Sequence, residues 1–474
     1  MIIYNAATRK KEEFIPQEEG KVKMYACGIT ASGDAHIGHA FQACVFDMIT
    51  KYMTFRGYDV TYVRNYTDVE DKIIAKANEL GVDATEFAKK MIIKTNKELD
   101  DLGVDRPTIQ SKATECMGDI INLIKVLEDK GFAYRVDNGD VFFDVKKFPE
   151  YGKFSHRSLD DSIDGFRIEV NSNKADTRDF ALWKSAKPGE IFWESPWGKG
   201  RPGWHIECSA MSMKYLGETL DIHGGGKDLI FPHHENEIAQ SEAATGKPFV
   251  KYWIHNGLIK VNSQKMSKSF GNGILLQDIQ AKYCRDVIRI TLHQNSYRSD
   301  VNVVDGIFEQ HEKKVYEMYK SFKTIKDMTG DFTVDADNEY DKTVEEEFVS
   351  AMDNDFNTSV AISNLFKYLN ELAKLIDKKD YQHGLNLMHS IKKYYAILGI
   401  GQLDPEEAIT QIRTKYLSKN GITEQEIDEL INERLEYKNV RNYEKADEIK
   451  QTILEKGILI KDSREGTTWD IMIN

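Results

Sequence analysis

The pattern that most constrains this chain is a strand, a glycine-containing loop, a helix and a second strand near its amino terminus. Residues 22–27, apolar except for Lys23, predict a buried strand that leads into a loop at residues 28–34. Apolar side chains recur at helical spacing over residues 36–55, and residues 60–63 form a second apolar run. This βαβ pattern predicts a parallel sheet in a nucleotide-binding type of fold.

Later segments predict further domains in an α/β chain. Short strands and loops over about residues 120–200 indicate an insertion, after which parallel-sheet character returns. From about Phe308, amphipathic patterns rich in Lys and Glu are typical of a helical bundle. The predicted fold is therefore a Rossmann-type parallel-sheet domain with an insertion, followed by an α-helical bundle.

Composition excludes several classes of protein. The 474 residues have a formal net charge of −13, which argues against general coating of nucleic acid. Five cysteines, odd in number and far apart, do not resemble a secreted disulfide framework. No apolar run is long enough to cross a bilayer, and Arg9 and Lys10 interrupt any signal-like start. We therefore expect a cytoplasmic protein with no membrane association.

Two short motifs have the chemistry to handle phosphate. His36, Gly38 and His39 lie where the predicted loop becomes a helix, a position that offers backbone N–H groups to an anion. Lys265 and Lys268, in Lys-Met-Ser-Lys-Ser, suit a cationic clamp on a triphosphate. The alternatives are a helix-capping pair and a solvated basic turn. Together and in this order, the two motifs resemble the signature of class I aminoacyl-tRNA synthetases.

A third group has the chemistry of a metal site. His233 and Glu237 are four residues apart, so they would share one face of a helix. Two thiolates would complete a tetrahedral zinc site, and the candidates are Cys27 and Cys208, at expected strand ends. The alternative is an ion pair on a helix face, with both cysteines in the core. The remaining cysteines, which we assign to packing, are Cys44, Cys116 and Cys284.

Longer segments resemble cysteinyl-tRNA synthetases over essentially the whole chain. The matching segments are residues 65–73, 201–211, 221–228, 351–358 and 465–469. The resemblance implies a ligase that activates cysteine with ATP and magnesium and transfers it to the 3′ end of tRNA(Cys). We expect a monomer. Its expected domains, in chain order, are a first catalytic half at 1–120, the insertion at 121–200, a second catalytic half at 201–305, a helical bundle at 306–400 and a small C-terminal anticodon-side domain at 401–474.

The resemblance also implies roles for individual residues. One zinc ion per chain would be held by Cys27, Cys208, His233 and Glu237 and would bind the substrate thiolate. The expected catalytic residues are His36, His39, Lys265 and Lys268. The expected ATP-binding residues are His36, Gly38, His39 and Lys268. The expected pocket for the substrate is lined by Gly28, Thr67, Trp204, His223 and Asp228.

Two other functions and one departure from the family remain open. This chain could instead be a ligase that passes cysteine to a small amine, as mycothiol-type ligases do. It could also be a catalytically idle paralogue that only binds RNA. Between Cys27 and His36 the family has Cys-Gly-Pro-Thr-Val-Tyr-Asp, whereas this chain has Cys-Gly-Ile-Thr-Ala-Ser-Gly-Asp. Ser32 in place of tyrosine and the freedom of Gly33 predict a larger or softer loop beside the site.

Overall fold

The computed structural model describes residues 1–156, 174–265, 273–463 and 466–473. Lys268, predicted to bind ATP, lies outside the described residues, and only the backbone of Lys265 is described. The chain divides into two compact units. The first comprises residues 1–260, 295–301 and 351–357, and the second comprises residues 261–294, 302–350 and 358–474.

The first unit is built on a five-stranded parallel sheet. Its elements in chain order are β1 (Ile2–Asn5), β2 (Lys10–Glu13), β3 (Lys21–Thr30), α1 (Ile37–Phe55), β4 (Asp59–Thr67), α2 (Asp71–Leu80), α3 (Ala84–Asp101), β5 (Ile109–Lys112), α4 (Met117–Asp129), β6 (Ala133–Arg135), β7 (Val141–Phe143), β8 (Phe180–Ser185), β9 (Gly200–Pro202), α5 (Trp204–Leu216), β10 (Leu220–Gly226), α6 (Glu235–Thr245) and β11 (Val250–Asn256). The sheet order is β11-β10-β3-β4-β5, and every pair in it is parallel.

The predicted βαβ unit is present as β3, α1 and β4, with one difference in the first strand. The strand does not end at residue 27 but continues to Thr30, through an irregularity in its pairing with β4 between Ala26 and Ile29. Gly28 N donates to the side chain of Asn65 at 2.8 Å, so the chain stays attached to β4. The prediction of a loop from residue 28 was therefore wrong by three residues.

The insertion forms a four-stranded antiparallel sheet of order β6-β7-β8-β9. Its inner face carries aromatic side chains, and the rings of Phe143 and Phe180 stack with centroids 5.0 Å apart. These residues belong to one buried cluster with α4 and with apolar side chains of α5 and α6. The insertion therefore packs on the helices that carry the candidate site.

The second unit is mainly helical. The remaining elements in chain order are β12 (Ile259–Val261), β13 (Gln264–Lys265), α7 (Leu276–Lys282), α8 (Arg285–His293), β14 (Val301–Val303), α9 (Ile307–Thr329), α10 (Glu339–Met352), α11 (Thr358–Asp377), α12 (Tyr381–Tyr395), α13 (Pro405–Asn420), α14 (Glu424–Asn439), α15 (Tyr443–Glu455), β15 (Ile458–Ser463) and β16 (Gly466–Ile471). Helix α13 packs on α9, and Arg413 Nε donates to Tyr316 Oη at 2.9 Å. The last 70 residues and the helical bundle therefore share this unit.

Among the described residues, no helix is long and apolar enough to cross a membrane. The three cysteines assigned to packing are buried, in agreement with that assignment. Cys44 lies in α1, whereas Cys116 lies in a 3₁₀ turn and Cys284 immediately precedes α8.

Candidate active site

Four buried side chains from separate elements meet beside the sheet. Cys27 Sγ lies 3.8 Å from Cys208 Sγ and 3.4 Å from Glu237 Oε1, and His233 Nε2 lies 3.0 Å from the same carboxylate oxygen. The ligand atoms of all four residues lie within 4.8 Å of one another. Two thiols, an imidazole and a carboxylate at this spacing fit a zinc ion. The structure thus brings together His233 and Glu237, predicted from their spacing, and the two cysteines predicted from expected strand ends.

The backbone placement of both cysteines differs from the prediction. Cys27 lies inside β3, three residues before its end, and Cys208 lies in α5 rather than at a strand end. Helix α5 begins immediately after Gly203 and packs on β3 and β4, which turns Cys208 toward Cys27. Cys208 therefore lies near Cys27 as expected, but it does so from a helix and not from the end of a parallel strand.

The electrostatics of the cluster favour negative charge on two of its four side chains, Cys208 and Glu237. The hydrogen bond from Cys27 lowers the pKa of Cys208 to about 6, whereas burial raises the pKa of Cys27. Burial alone would raise the pKa of Glu237, but His223 and His233 hold it well below its usual range. Burial alone would lower the pKa of His233, but Glu237 raises it to about 10. A divalent cation would neutralise this charge without a proton on each ligand.

A second set of ligand atoms overlaps the first. Cys27, His223, His234 and Glu237 also lie within 4.8 Å of one another. His234 Nε2 is 3.3 Å from Cys27 Sγ, and His223 Nε2 is 2.8 Å from Glu237 Oε2. His234 was not among the predicted ligands, although it is three residues before Glu237 and could share a helical face with it.

The two histidines of the predicted phosphate motif cap α1 reciprocally. His36 is the N-cap residue, and its Nδ1 accepts the backbone N–H of His39 at 3.3 Å. The Nδ1 of His39 accepts the backbone N–H of His36 at 3.3 Å, and the rings stack with centroids 3.6 Å apart. Since each Nδ1 is an acceptor, a neutral ring carries its proton on Nε2, which is the donor that a phosphate oxygen requires.

The predicted pocket residues occupy different environments. Trp204, 38% exposed, stacks on the ring of His233 with centroids 4.2 Å apart and lines a cleft beside the candidate metal site. Thr67 Oγ1 donates to buried Glu207 at 3.0 Å. His223 is fully buried, with Nδ1 3.1 Å from the carbonyl oxygen of Tyr25.

One predicted pocket residue is exposed, and the loop that departs from the family makes contacts of its own. Asp228 is exposed in a 3₁₀ turn that follows β10. In the loop that departs from the family, Lys94 of α3 forms an ion pair with Asp34, and Ser32 N donates to the carbonyl oxygen of Thr30 at 2.8 Å. These contacts therefore hold the loop at both ends, whereas Gly33 predicted greater backbone freedom within it.

Gly28 is required by close backbone packing. A Cβ at this position would lie 1.5 Å from the carbonyl oxygen of Asn65. We expect Gly28→Ala to separate β3 from β4 and lower the midpoint of thermal unfolding, by an amount equivalent to roughly 1–3 kcal/mol. Gly118→Ala is the matched control, because Gly118 has no atom within 4 Å of the added carbon. Equal midpoints for the two variants would contradict the close approach.

Comparisons with known proteins agree with this geometry. Residues 13–313 match the family model for the class I (C) tRNA synthetase catalytic domain, and residues 347–402 match the DALR domain. A cysteine–tRNA ligase from Thermodesulfovibrio yellowstonii is 45% identical over 489 residues and is covered fully, as is this chain. One from Geobacter sp. strain M21 is 47% identical over 480 residues, with 99% of each chain covered.

The chain belongs to the cysteine–tRNA ligase family. The predicted membership is confirmed, and the predicted α/β fold with a parallel-sheet catalytic domain is confirmed with it. The Mycobacterium tuberculosis methionyl-tRNA synthetase solved with methionyl-adenylate has a similar fold, with a TM-score of 0.57. It is 14% identical, and the match covers 83% of this chain and 96% of that one, so it shows the fold alone.

Proposed function

We propose that this cysteine–tRNA ligase family member activates cysteine with ATP and magnesium and transfers it to the 3′ end of tRNA(Cys). The observation that carries the proposal is the buried cluster of Cys27, Cys208, His233 and Glu237. Zinc in this cluster would supply a site that prefers a thiolate to a neutral hydroxyl. The alternatives of a small-amine acceptor and an idle paralogue are not favoured, because the relatives named cysteine–tRNA ligase match over their whole length.

The residues around the cluster hold the substrate for reaction. Trp204, stacked on His233, closes one side of the cleft and restricts where the carbon skeleton of cysteine can lie. The hydroxyl of Thr67, which donates to Glu207 of α5, would lie beside the bound substrate. Held in this cleft, cysteine would present its carboxylate to ATP, and one carboxylate oxygen would attack the α-phosphate as pyrophosphate leaves.

The phosphates are held by groups from two motifs. His36 and His39 would donate their Nε2–H groups to oxygen atoms of the α-phosphate, and Gly38 leaves room for the nucleotide. Lys265 and Lys268 would neutralise the charge that moves onto pyrophosphate. The 3′ hydroxyl of tRNA then attacks the carbonyl carbon of the adenylate, and AMP leaves.

The proposed acceptor needs basic surface outside the site. Lys313, Lys314, Lys392 and Lys393 on the helical bundle are candidates for phosphate contacts. Arg434, in a basic segment of the last 70 residues, is not a candidate, because it is buried and its two Nη atoms each donate to a carboxylate oxygen of Asp462 at 2.9 Å. We further propose that the protein acts in the cytoplasm as a monomer.

Cysteine-dependent exchange of pyrophosphate into ATP tests the activation step. The full chain should catalyse exchange with cysteine and not with serine, because a neutral hydroxyl is a poor zinc ligand at pH 7. Removal of the metal by a chelator should abolish exchange, and added zinc should restore it. Full activity in a zinc-free preparation supplied with magnesium, or equal exchange with serine, would refute the proposal.

A further inference from the structure

His233 is held on two sides by neighbouring residues at the start of α5. The ring of Trp204 stacks on it at a centroid distance of 4.2 Å and an interplanar angle of 29°. The ring of His205 lies 5.0 Å away, and the Nδ1 atoms of the two histidines are 2.9 Å apart. His233 therefore has one ring nitrogen toward Glu237 and the other toward His205.

This arrangement determines which ring nitrogen of His233 faces the other three side chains of the candidate zinc site. A histidine that binds a metal through Nε2 carries its proton on Nδ1. That proton points at His205 Nδ1, which must then act as the acceptor. We propose, on the basis of the proposed zinc-dependent function, that His205 is a positioning residue that holds His233 in the tautomer and orientation needed for metal binding.

His205 is itself held firmly enough to act in this way. Gln240 Nε2 donates to the backbone carbonyl of His205 at 3.0 Å and contacts Ser209 Oγ at 2.8 Å. Gln240 is completely buried. The ring of Phe180 meets the His205 ring edge-on, with centroids 5.8 Å apart and an angle of 82°. Little freedom remains to be lost when His205 accepts the hydrogen bond.

The overlapping ligand set provides an internal comparison. His234, the histidine of that set beside His233, has its own histidine partner: its Nδ1 is 2.8 Å from His255 Nε2. Each of these two candidate ligands is therefore supported by a different second histidine. Removing one support at a time reports which histidine binds the metal.

The test uses the full chain and measures zinc affinity by competition with a chromogenic chelator. His205→Leu keeps apolar bulk but removes the acceptor, and should weaken zinc binding about 10- to 100-fold. His205→Asn retains an acceptor near the position of Nδ1 and should recover most of that affinity. His255→Leu, the matched control, should bind zinc almost as the unmodified chain does. With cobalt in place of zinc, His205→Leu should also alter the visible absorption bands, which report ligand geometry.

Three outcomes would overturn the role of His205. They are unchanged zinc affinity in His205→Leu, equal losses in His205→Leu and His205→Asn, and a larger loss in His255→Leu. Each leaves the proposed function intact if the unmodified chain still binds zinc and needs it for cysteine activation. Failure of the unmodified chain to bind zinc would instead refute the proposed zinc site.

Discussion

Replacing Cys208 with serine should remove most zinc affinity and raise the KM for cysteine far more than the KM for ATP. Cys208 would contribute one of the two sulfur ligands in the proposed zinc site, and its pKa is lowered to about 6 by the hydrogen bond from Cys27. Loss of a supporting residue costs about 10- to 100-fold in metal affinity, so loss of a ligand should cost at least about a hundredfold. Zinc content and steady-state exchange kinetics measure both effects.

Cys116→Ser is the matched control for this substitution. Cys116 is also buried, in the same unit, and Tyr215 Oη lies 3.7 Å from its sulfur, so a serine hydroxyl would find a partner. It should retain zinc and an ordinary KM for cysteine. A Cys208→Ser protein with full zinc content and unchanged cysteine kinetics would show that the thiol is a core residue and no ligand.

Lys268→Ala should lower kcat for adenylate formation by at least about a hundredfold, the effect of losing one preorganised electrostatic donor. We expect the charge of this lysine to act where negative charge shifts as pyrophosphate leaves. Transfer of cysteine from preformed adenylate to tRNA should change much less. Single-turnover measurements of the two half-reactions separate these effects, and Lys282→Ala, at the exposed end of α7, serves as the control. Equal losses in both half-reactions would assign Lys268 to folding or loop placement.

The sequence predicted which side chains meet at the candidate site better than it predicted the path of the backbone through it. His233 and Glu237 were identified from an i, i+4 spacing, and the structure brings their side chains to 3.0 Å. Helical spacing is a local property, so it could be read without knowledge of the fold. The continuation of β3 to Thr30 was missed because it depends on pairing with β4, through contacts such as Gly28 to Asn65.

The supporting histidines were also beyond local patterns. His205 is adjacent in sequence to Trp204, but its contact with His233 forms only when the start of α5 packs against the turn before α6. The contact between His234 and His255 likewise joins that turn to β11. Such contacts depend on tertiary packing, whereas the candidate ligands are residue types typical of zinc sites and could be recognised in the sequence.

Charging of tRNA(Cys) by the full-length, zinc-loaded chain is the most direct test of the central claim. With ATP and magnesium present, cysteine should become attached to the 3′ end of the tRNA, and serine should not. Removal of zinc by a chelator, with magnesium kept present, should abolish charging, and added zinc should restore it. Transfer of activated cysteine to a small amine, with no charging of tRNA(Cys), would contradict the account.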